Sequence, residues 1–375
     1  MGALIGLDAR MIGPIPAGLG TYATHLAHAL TMLDPDNSYV IIKSRTGPSP
    51  VASGPNVSEV VIDGPIDALR NLTRGPAITR LGLDLYHSLH HFLPLAIRVP
   101  RVVLTLHDLI WIEHRSLIRS GPAAPLTRTV TNLYARAAMG YAVRRADRLI
   151  AVSAHTRTRA VAHWGLDPSR IDVVYSGVDR TEFSPSPADT HESARPYFLC
   201  LGNTRPYKNI PNALRAFASL NKMSGVNDAR LIVAGRGDTT ADLRDLARKL
   251  GVERRITFTG PAPPGEILRL LRGATALIFP SLVEGFGFPV LEGMSAGCPV
   301  ITSRAPAVVE IAGNAGLSCD ADSPDSFATA MHRLLCEPGL RETLRQRGFA
   351  RAAGFTWRHC AARTLTTYRA LLAHG

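Results

Sequence analysis

Two glutamates stand eight positions apart in the segment 280–292, which reads PSLVEGFGFPVLE. The largely apolar run 274–279 before Glu284 predicts a buried strand. The proline inside the segment suits the first turn of a helix that carries Glu292, because that position makes no intrahelical N–H bond. Glu284 is therefore expected at the carboxyl end of a strand, the edge where open α/β sheets bind ligands. The backbone N–H groups of residues 285–288 would lie at the helix N-terminus, where they can bind an anion or sugar hydroxyls.

Two cations lie three residues apart in the loop that follows the expected strand 197–201. Arg205 offers a planar fork and Lys208 a point charge, so together they can clamp a diphosphate group. Cations at the start of a helix oppose the helix dipole, and a bound anion would explain their position. The alternative is a solvated loop that begins a helix.

His107 follows the apolar strand expected at 101–106, so it is predicted at the same kind of sheet edge. There it can face a reacting carbon, or it can be a structural histidine held by hydrogen bonds. His87, His90 and His91 form a second group, but no carboxylate or cysteine stands at zinc-like spacing from them. We interpret these three as lining a cleft or lying on the surface.

Glycines mark three further loops. Gly18 and Gly20 precede the first long helix, and the stretch GLGTYA formally satisfies a G-x-G-x-x-A dinucleotide pattern. The loop before it is too long for a tight turn, and no acid ends a second strand at the required place, which disfavours that interpretation. Gly202 and Gly235 follow strands of the second half, and at Gly235 the conformational freedom of glycine is the larger reason for the residue.

Length and composition exclude several classes of protein. With 375 residues, 46% of them hydrophobic, the chain can form two globular domains. It has no run of about twenty apolar residues, and residues 1–10 lack the basic start of a signal peptide, so a cytoplasmic protein is expected. The five cysteines are scattered and show no metal spacing, and we expect buried thiols.

The charge balance predicts an anionic partner, because 42 basic and 30 acidic residues give a net charge of +12. Nucleic acid is disfavoured, since no binding motif is present and aromatic residues are few. Nucleotide-sugar phosphates and an anionic membrane surface fit better. Segment 126–148 mixes apolar residues with five arginines, so it is a candidate for a basic amphipathic helix at the inner face of a membrane. The alternative is an ordinary surface helix packed on the first domain.

Strand-like and helix-like segments alternate along the chain, which predicts parallel sheets with helices on both faces. In the first half we expect strands at 3–8, 39–43, 58–62, 101–106, 148–152 and 171–175, and helices at 19–33, 126–145 and 154–163, the last capped by Ser153. In the second half we expect strands at 197–201, 230–234, 255–258, 275–279 and 299–302, and helices at 208–222, 239–250, 264–272, 289–296, 324–336, 339–349 and 357–373. The polar, proline-rich segment between the halves predicts a linker. The pattern favours an α/β protein of two Rossmann-like domains with a cleft between them.

The segment 280–292, together with the MSAGCPVIT that follows, resembles the Glu-x7-Glu motif of retaining glycosyltransferases with the GT-B fold. The family is glycosyltransferase family 4, also called glycosyl transferases group 1. The start GLDAR and the glycine loop before Tyr22 look most like a branch of bacterial mannosyltransferases of polysaccharide assembly. The resemblance implies an acceptor-side domain at 1–180, a linker at 181–196, a donor domain at 197–355 and a C-terminal helix at 356–375 that packs on the first domain.

The resemblance also implies roles for the residues singled out above. Arg205 and Lys208 would hold the donor diphosphate, and His107 would lie beside the donor sugar. Glu284 would hold donor sugar hydroxyls, and Glu292 would bind the ribose. The remaining donor-binding positions would be Gly18, Gly20, Gly202, Gly235, Gly285, Phe286, Gly287 and Phe288.

The implied activity is hexosyl transfer from a nucleotide diphosphate sugar, with GDP-mannose as the leading donor, to a hydroxyl of a glycan or lipid-linked acceptor. Two Asp-x-Asp sequences, Asp34 to Asp36 and Asp320 to Asp322, resemble a metal site of a different glycosyltransferase fold. They lie in a turn and before a helix, so we predict neither metal nor cofactor. A nucleotide-sugar epimerase of the same architecture and a non-catalytic scaffold remain alternatives.

Overall fold

In the computed structural model the described residues are 2–13, 18–64, 69–118, 125–179, 195–224, 226, 228–235, 237 and 240–373. They belong to two compact units. The N-terminal unit comprises Met1–Glu113, Ala124–Gly177 and Phe355–Gly375, and the C-terminal unit comprises His114–Ala123 and Val178–Gly354. The expected linker at 181–196 lies outside the described residues except for its last two positions.

The N-terminal unit is built on a parallel sheet of seven strands in the order β3-β2-β1-β4-β5-β6-β7. Helices cover both faces of such a sheet, so its strands read as nearly continuous apolar runs, as in VVLTL of β5. The strands are β1 Leu4–Asp8, β2 Ser38–Lys43, β3 Val57–Val61, β4 Leu85–Ser88, β5 Arg101–Leu106, β6 Arg148–Ala151 and β7 Ile171–Val173.

The helices of this unit are Leu19–Leu33, Gly75–Thr79, Ile110–Glu113, Pro125–Arg145, Ala154–Trp164 and Trp357–Leu372, with a 3-10 helix at Leu69–Arg74. The Ser153 side chain caps its helix as predicted, because its oxygen accepts from the backbone N–H of Thr156 at 3.0 Å. The last helix packs against Leu19–Leu33. Its first turn fits against Gly177, where an added Cβ would lie 2.2 Å from the Trp357 nitrogen.

The C-terminal unit has a parallel sheet of six strands in the order β10-β9-β8-β11-β12-β13. The strands are β8 Tyr197–Leu201, β9 Arg230–Ala234, β10 Ile256–Gly260, β11 Ala276–Phe279, β12 Val300–Ser303 and β13 Gly316–Cys319. Its helices are Ile210–Leu220, Thr240–Lys249, Pro264–Gly273, Phe288–Ser295, Pro306–Ala312, Pro324–Cys336 and Leu340–Ala352. Its buried core joins the sheet to these helices, with Phe198, Phe217 and Phe327 fully buried.

All eleven expected strands are present within two residues of their expected bounds, and so is each expected helix, apart from the later end of Leu340–Ala352. Apart from the 3-10 helices, five elements were missed: the strands β4 and β13 and the helices Gly75–Thr79, Ile110–Glu113 and Pro306–Ala312. Both strands have four residues, and β4 reads LYHS, where polar side chains interrupt the apolar pattern. Tertiary pairing in the sheet, rather than local propensity, makes these segments extended.

The basic segment forms the helix Pro125–Arg145, whose side chains are described from residue 133 onward. Ala138, Met139 and Ala142 are buried in the N-terminal unit, while Leu133 is 67% exposed. The described part of this helix thus packs as a surface helix does, and membrane association stays a prediction. Among the described residues no helix is both long and apolar enough to cross a bilayer.

Four of the five cysteines are buried, as expected, and Cys336 is exposed, which corrects the prediction for that residue. Burial raises the pKa of the Cys200, Cys298 and Cys360 thiols to about 12. These three thiols therefore stay protonated at neutral pH and serve as small apolar side chains.

Candidate functional site

The site lies where the strand order of the C-terminal sheet reverses. The strands β8 and β11 are neighbours, but the chain runs from β8 outward through β9 and β10 before it returns to β11. This is the topological switch point of the sheet, and the loops that leave the two carboxyl ends there form a crevice. One loop carries Arg205 and Lys208, and the other carries Glu284.

Lys208 and Glu284 form an ion pair across this switch point. Lys208 Nζ lies 2.7 Å from Glu284 Oε1, and the two side chains are only 10% and 11% exposed. The Nζ atom also lies 4.9 Å from the centre of the Phe279 ring, at the end of β11. A carboxylate of the chain itself therefore balances the charge of Lys208, a partner that the sequence reasoning did not predict.

Asn209 fixes the loop that carries Lys208. Its backbone adopts φ 53°, a left-handed conformation that asparagine tolerates. Its side-chain amide donates to the carbonyls of Pro280 at 3.3 Å and Ala321 at 2.8 Å, so it ties this loop to the segments that follow β11 and β13. We assigned it no role from sequence, although an asparagine directly before a helix is a known signal for a special backbone conformation.

Arg205 and Lys208 differ in burial. Arg205 is exposed and its backbone N–H donates to Asn203 Oδ1 at 3.1 Å, whereas Lys208 is buried. Both lie at the short 3-10 turn Pro206–Lys208 rather than inside the helix that begins at Ile210. The pair thus offers one cation at the surface and one inside the crevice.

The turn between the two glutamates forms the start of a helix, as predicted. Gly287 occupies the N-cap position of Phe288–Ser295 with φ 110°, a value that favours glycine. Gly285 and Phe286 are buried, and the ring of Phe286 lies 5.2 Å from that of Phe288. Glu292 is half-buried in the second turn of this helix.

Gly202 and Gly235 lie against each other at the ends of β8 and β9. A Cβ added at Gly235 would lie 1.6 Å from the Gly202 carbonyl oxygen, so only glycine fits there. A Cβ at Gly202 would lie 3.8 Å from Lys208 Cε, which places this backbone beside the ion pair. The structure therefore brings Gly202, Gly235, Lys208 and Glu284 together, and explains Gly235 by packing.

In the N-terminal unit, His107 directly follows β5 and is buried. Its Nε2 lies 2.9 Å from the Leu89 carbonyl oxygen. A carbonyl can only accept, so Nε2 carries the proton and Nδ1 is left as an acceptor. Burial lowers the pKa of His107 to about 4, which keeps the ring neutral at pH 7.

A chain of hydrogen bonds connects the last helix to the surroundings of His107. His87 Nδ1 lies 2.6 Å from the hydroxyl of Tyr368, and its Nε2 lies 2.8 Å from Thr105 Oγ1. The hydroxyl of Tyr22 lies 3.2 Å from the same Thr105 oxygen. The Tyr22 ring stands edge-on to His107 with ring centres 4.8 Å apart, so it limits how the imidazole can turn.

His90 and His91 are buried beside His107, and His87 is buried as well. A position on the surface is therefore wrong for all three, while a position that lines a cleft stays a prediction. The rings of His90 and His91 have centres 4.0 Å apart. Within the described residues no group of three or more histidine, cysteine, aspartate or glutamate side chains is arranged to hold a metal ion.

The glycine loop of the N-terminal unit is described in part, since residues 14–17 lie outside the described residues. Gly18 stands at the N-cap of Leu19–Leu33 with φ 48°, and Gly20 is buried in the first turn. The structure thus gives both glycines a place at a helix start, while their role toward a donor stays a prediction.

Two family models match this chain. The model described as Glycosyltransferase Family 4 matches residues 16–182, and the model described as Glycosyl transferases group 1 matches residues 186–351. Between them they cover most of both units. The chain belongs to this glycosyltransferase family.

Individual proteins agree with that assignment. The chain is 29% identical over 281 residues to the D-inositol 3-phosphate glycosyltransferase of Rhodococcus opacus (strain B4), and the match covers 72% of this chain and 61% of that protein. It is 26% identical over 294 residues to the O-antigen chain mannosyltransferase B of Escherichia coli, with coverage of 76% and 74%. The chain therefore spans about three fifths of the length of the first of these relatives.

Solved structures show the fold. The sucrose-phosphate synthase of Thermosynechococcus elongatus superimposes with a TM-score of 0.77 at 18% identity, over 100% of both chains. The fold class predicted from sequence is confirmed: the protein has two parallel-sheet α/β units of the GT-B type.

Proposed function

We propose that the protein is a hexosyltransferase that moves a sugar from a nucleotide diphosphate sugar to a hydroxyl group, with retention at the anomeric carbon. The observation that carries this proposal is the Lys208–Glu284 pair at the switch point of the C-terminal sheet. It places a cation and a carboxylate at the edge where α/β sheets bind ligands, in a chain that belongs to a glycosyltransferase family.

The two charges suit the two ends of a donor. Lys208, with Arg205 at the surface, would bind the diphosphate, and Glu284 would accept hydrogen bonds from hydroxyls of the donor sugar. Until the donor arrives, each side chain holds the other in position, so neither charge is left unpaired in the crevice. The helix start at residues 285–288 adds backbone donors, and Glu292 would bind the ribose.

The proposed transfer breaks the bond between the anomeric carbon and the phosphate oxygen and forms a bond to the acceptor oxygen on the same face. The proton of the acceptor hydroxyl moves to the departing phosphate, so no side chain needs to act as nucleophile. The transition state would carry oxocarbenium character. Stabilising the departing diphosphate is then the main task of Arg205 and Lys208. No metal and no cofactor take part in this proposal.

The N-terminal unit would supply His107 beside the donor sugar. Because its ring is neutral and its Nε2 proton is held by Leu89, the Nδ1 atom can accept a hydrogen bond from a sugar hydroxyl. Mannose from GDP-mannose is our leading donor, supported by the similarity to an O-antigen mannosyltransferase. The acceptor would be a glycan or a lipid-linked glycan, reached from the cytoplasmic side of a membrane.

The test is a thermal-shift panel of GDP-, UDP-, ADP- and dTDP-sugars, on the wild type and on Arg205→Ala/Lys208→Ala. A ligand that binds the folded protein raises its Tm by mass action. We expect a rise for one nucleotide that the double variant loses. The absence of a rise at millimolar concentration for every nucleotide would contradict the donor site.

Product analysis with the donor so identified tests the finer claims. We expect an α-configured product from an α-configured donor by NMR, and full activity in EDTA. Conversion of the donor to an epimer without acceptor would instead identify an epimerase, and EDTA-sensitive turnover restored by a divalent ion would contradict metal-independent transfer.

A further inference from the structure

The sheet of the N-terminal unit has its own switch point, between β1 and β4. Asp8 ends β1 at this point, and its carboxylate accepts a hydrogen bond of 2.5 Å from the hydroxyl of Tyr86 in β4. Arg10 forms a buried ion pair with Asp8 at 2.6 Å, and both side chains have no exposed surface. None of these residues has a place in the transfer proposed above.

Three N–H donors at this point have no acceptor. Arg10 Nη2 donates to Asn71 Oδ1 at 2.8 Å. Because a guanidinium can only donate, this bond turns the amide oxygen of Asn71 toward Arg10 and leaves its Nδ2 pointing elsewhere. Arg10 Nη1, Asn71 Nδ2 and Arg74 Nε are buried and without a hydrogen-bond partner in the described structure.

The three donors belong to one neighbourhood. Asn71 and Arg74 are three residues apart in the 3-10 helix Leu69–Arg74, and side chains at that spacing lie on the same side of such a helix. Arg10 touches Asn71 directly. Arg10 and Asn71 are 3% and 1% exposed.

Among the described residues at this point the charges do not balance: Arg10 and Arg74 bring two positive charges, and Asp8 brings one negative charge. Arg74 has no ion pair with any described carboxylate, and nearby Asp63 is bound to Arg45. Arg10 is buried and Arg74 is half-buried, and a bound anion would give their enclosed N–H groups an acceptor.

We propose that Arg10, Asn71 and Arg74 form a binding site for a phosphate group at the switch point of the N-terminal sheet. Three donors, two of them charged, suit the several oxygens of a phosphate. This inference rests on the proposed function, because a glycosyltransferase needs an acceptor site. We infer that the phosphate bound here is an ester group of that acceptor. Free inorganic phosphate is the other source with the same chemistry.

The experiment follows the Tm of the full chain as inorganic phosphate is titrated. The wild type is compared with Arg74→Gln and with the nearby surface control Arg80→Gln, whose side chain is exposed. Each titration is repeated with Arg205→Ala, so that binding at the donor site is subtracted. We expect Arg74→Gln to weaken phosphate binding at least about tenfold, as for the loss of one charged hydrogen bond, and Arg80→Gln to leave it unchanged.

Asn71→Asp gives a second test that does not depend on weakened folding. It places a carboxylate next to the Arg10 guanidinium, one turn before Arg74, while keeping an oxygen for Arg10. We expect a higher Tm without ligand and no further rise with phosphate. An Asn71→Asp protein that responds to phosphate like the wild type would overturn the site, as would an equal response of the Arg74→Gln and Arg80→Gln variants.

Two further measurements are needed. One distinguishes a phosphate ester of the acceptor from free phosphate, and the other distinguishes the phosphate site from the proposed sugar transfer. An acceptor series with and without a phosphate ester, assayed for KM, should show an advantage for the ester that Arg74→Gln removes. If only inorganic phosphate binds, the acceptor claim is overturned. If no nucleotide sugar raises the Tm while phosphate still does, the proposed transfer is contradicted and the phosphate site is supported.

Discussion

Burial decides what the charged residues of this chain can do. Lys208 and Arg205 are three positions apart, yet one is enclosed with Glu284 and the other lies at the surface. Asp8 and Arg10 are fully enclosed, whereas Arg45 and Asp63 form an ion pair in which both partners are at least half exposed. Enclosed pairs are strongly destabilised when one partner is removed, and exposed pairs contribute little.

The first prediction separates binding from folding at the C-terminal site. Lys208→Ala leaves Glu284 enclosed without its partner, so the free energy of unfolding should fall by about 1–3 kcal/mol. Arg205→Ala changes a surface residue and should stay within about 0.5 kcal/mol of the wild type. Urea unfolding measures both. Each variant should also weaken donor binding about tenfold or more by calorimetry. Equal stability of the two variants would contradict the enclosed pair.

The second prediction concerns Arg10. Arg10→Gln leaves the Asp8 carboxylate buried and uncompensated, which should cost about 3–5 kcal/mol of unfolding free energy. The matched control is Arg45→Gln, in the exposed pair with Asp63, where a change below about 1 kcal/mol is expected. Denaturant midpoints of the two variants check this, and a similar small loss in both would show that the Asp8–Arg10 pair is solvated.

At the scale of elements, the parallel strands and long helices could be predicted because each carries its own periodic pattern. The strand β4 could not, since its four residues LYHS hold a tyrosine and a histidine whose polar atoms find partners only in the folded unit. The place of the last helix depends on Gly177, which allows the backbone at Trp357 to come close.

The third prediction tests that contact. Gly177→Ala would put a Cβ 2.2 Å from the Trp357 nitrogen, so the helix Trp357–Leu372 must shift. We expect a loss of about 1–3 kcal/mol, as for other overpacked positions. Gly265→Ala is the control, because a Cβ there meets nothing within 4 Å and alanine favours a helix. Thermal unfolding should show a drop for Gly177→Ala alone.

At the scale of the whole molecule, four histidines are buried near one edge of the N-terminal sheet. Burial lowers the pKa of His87 to about 3 and those of His91 and His107 to about 4, and it lowers the pKa of His90 as well. The unfolded chain takes up protons near pH 6.5, whereas the folded chain does so only at much lower pH. Stability therefore falls as pH drops from about 6.5 toward 4.

The fourth prediction follows from this difference. Within that window each buried histidine should lower the free energy of unfolding by about 1.4 kcal/mol per pH unit. His91→Gln should make the dependence on pH less steep, and His359→Gln, at an exposed position, should leave the slope unchanged. Urea unfolding between pH 7 and pH 5 measures the slopes. Identical slopes for all three proteins would mean that the buried histidines are not the cause.

The sequence by itself determined the two α/β units, the family and the residues that stand at the switch point of the C-terminal sheet. These follow from local patterns: apolar runs, helix caps, and the compact motif around Glu284 and Glu292. Only the tertiary structure decided which side chains meet. The pairing of Lys208 with Glu284 and of Arg10 with Asn71 joins residues 76 and 61 positions apart, because strand order, not sequence distance, sets which loops share a sheet edge.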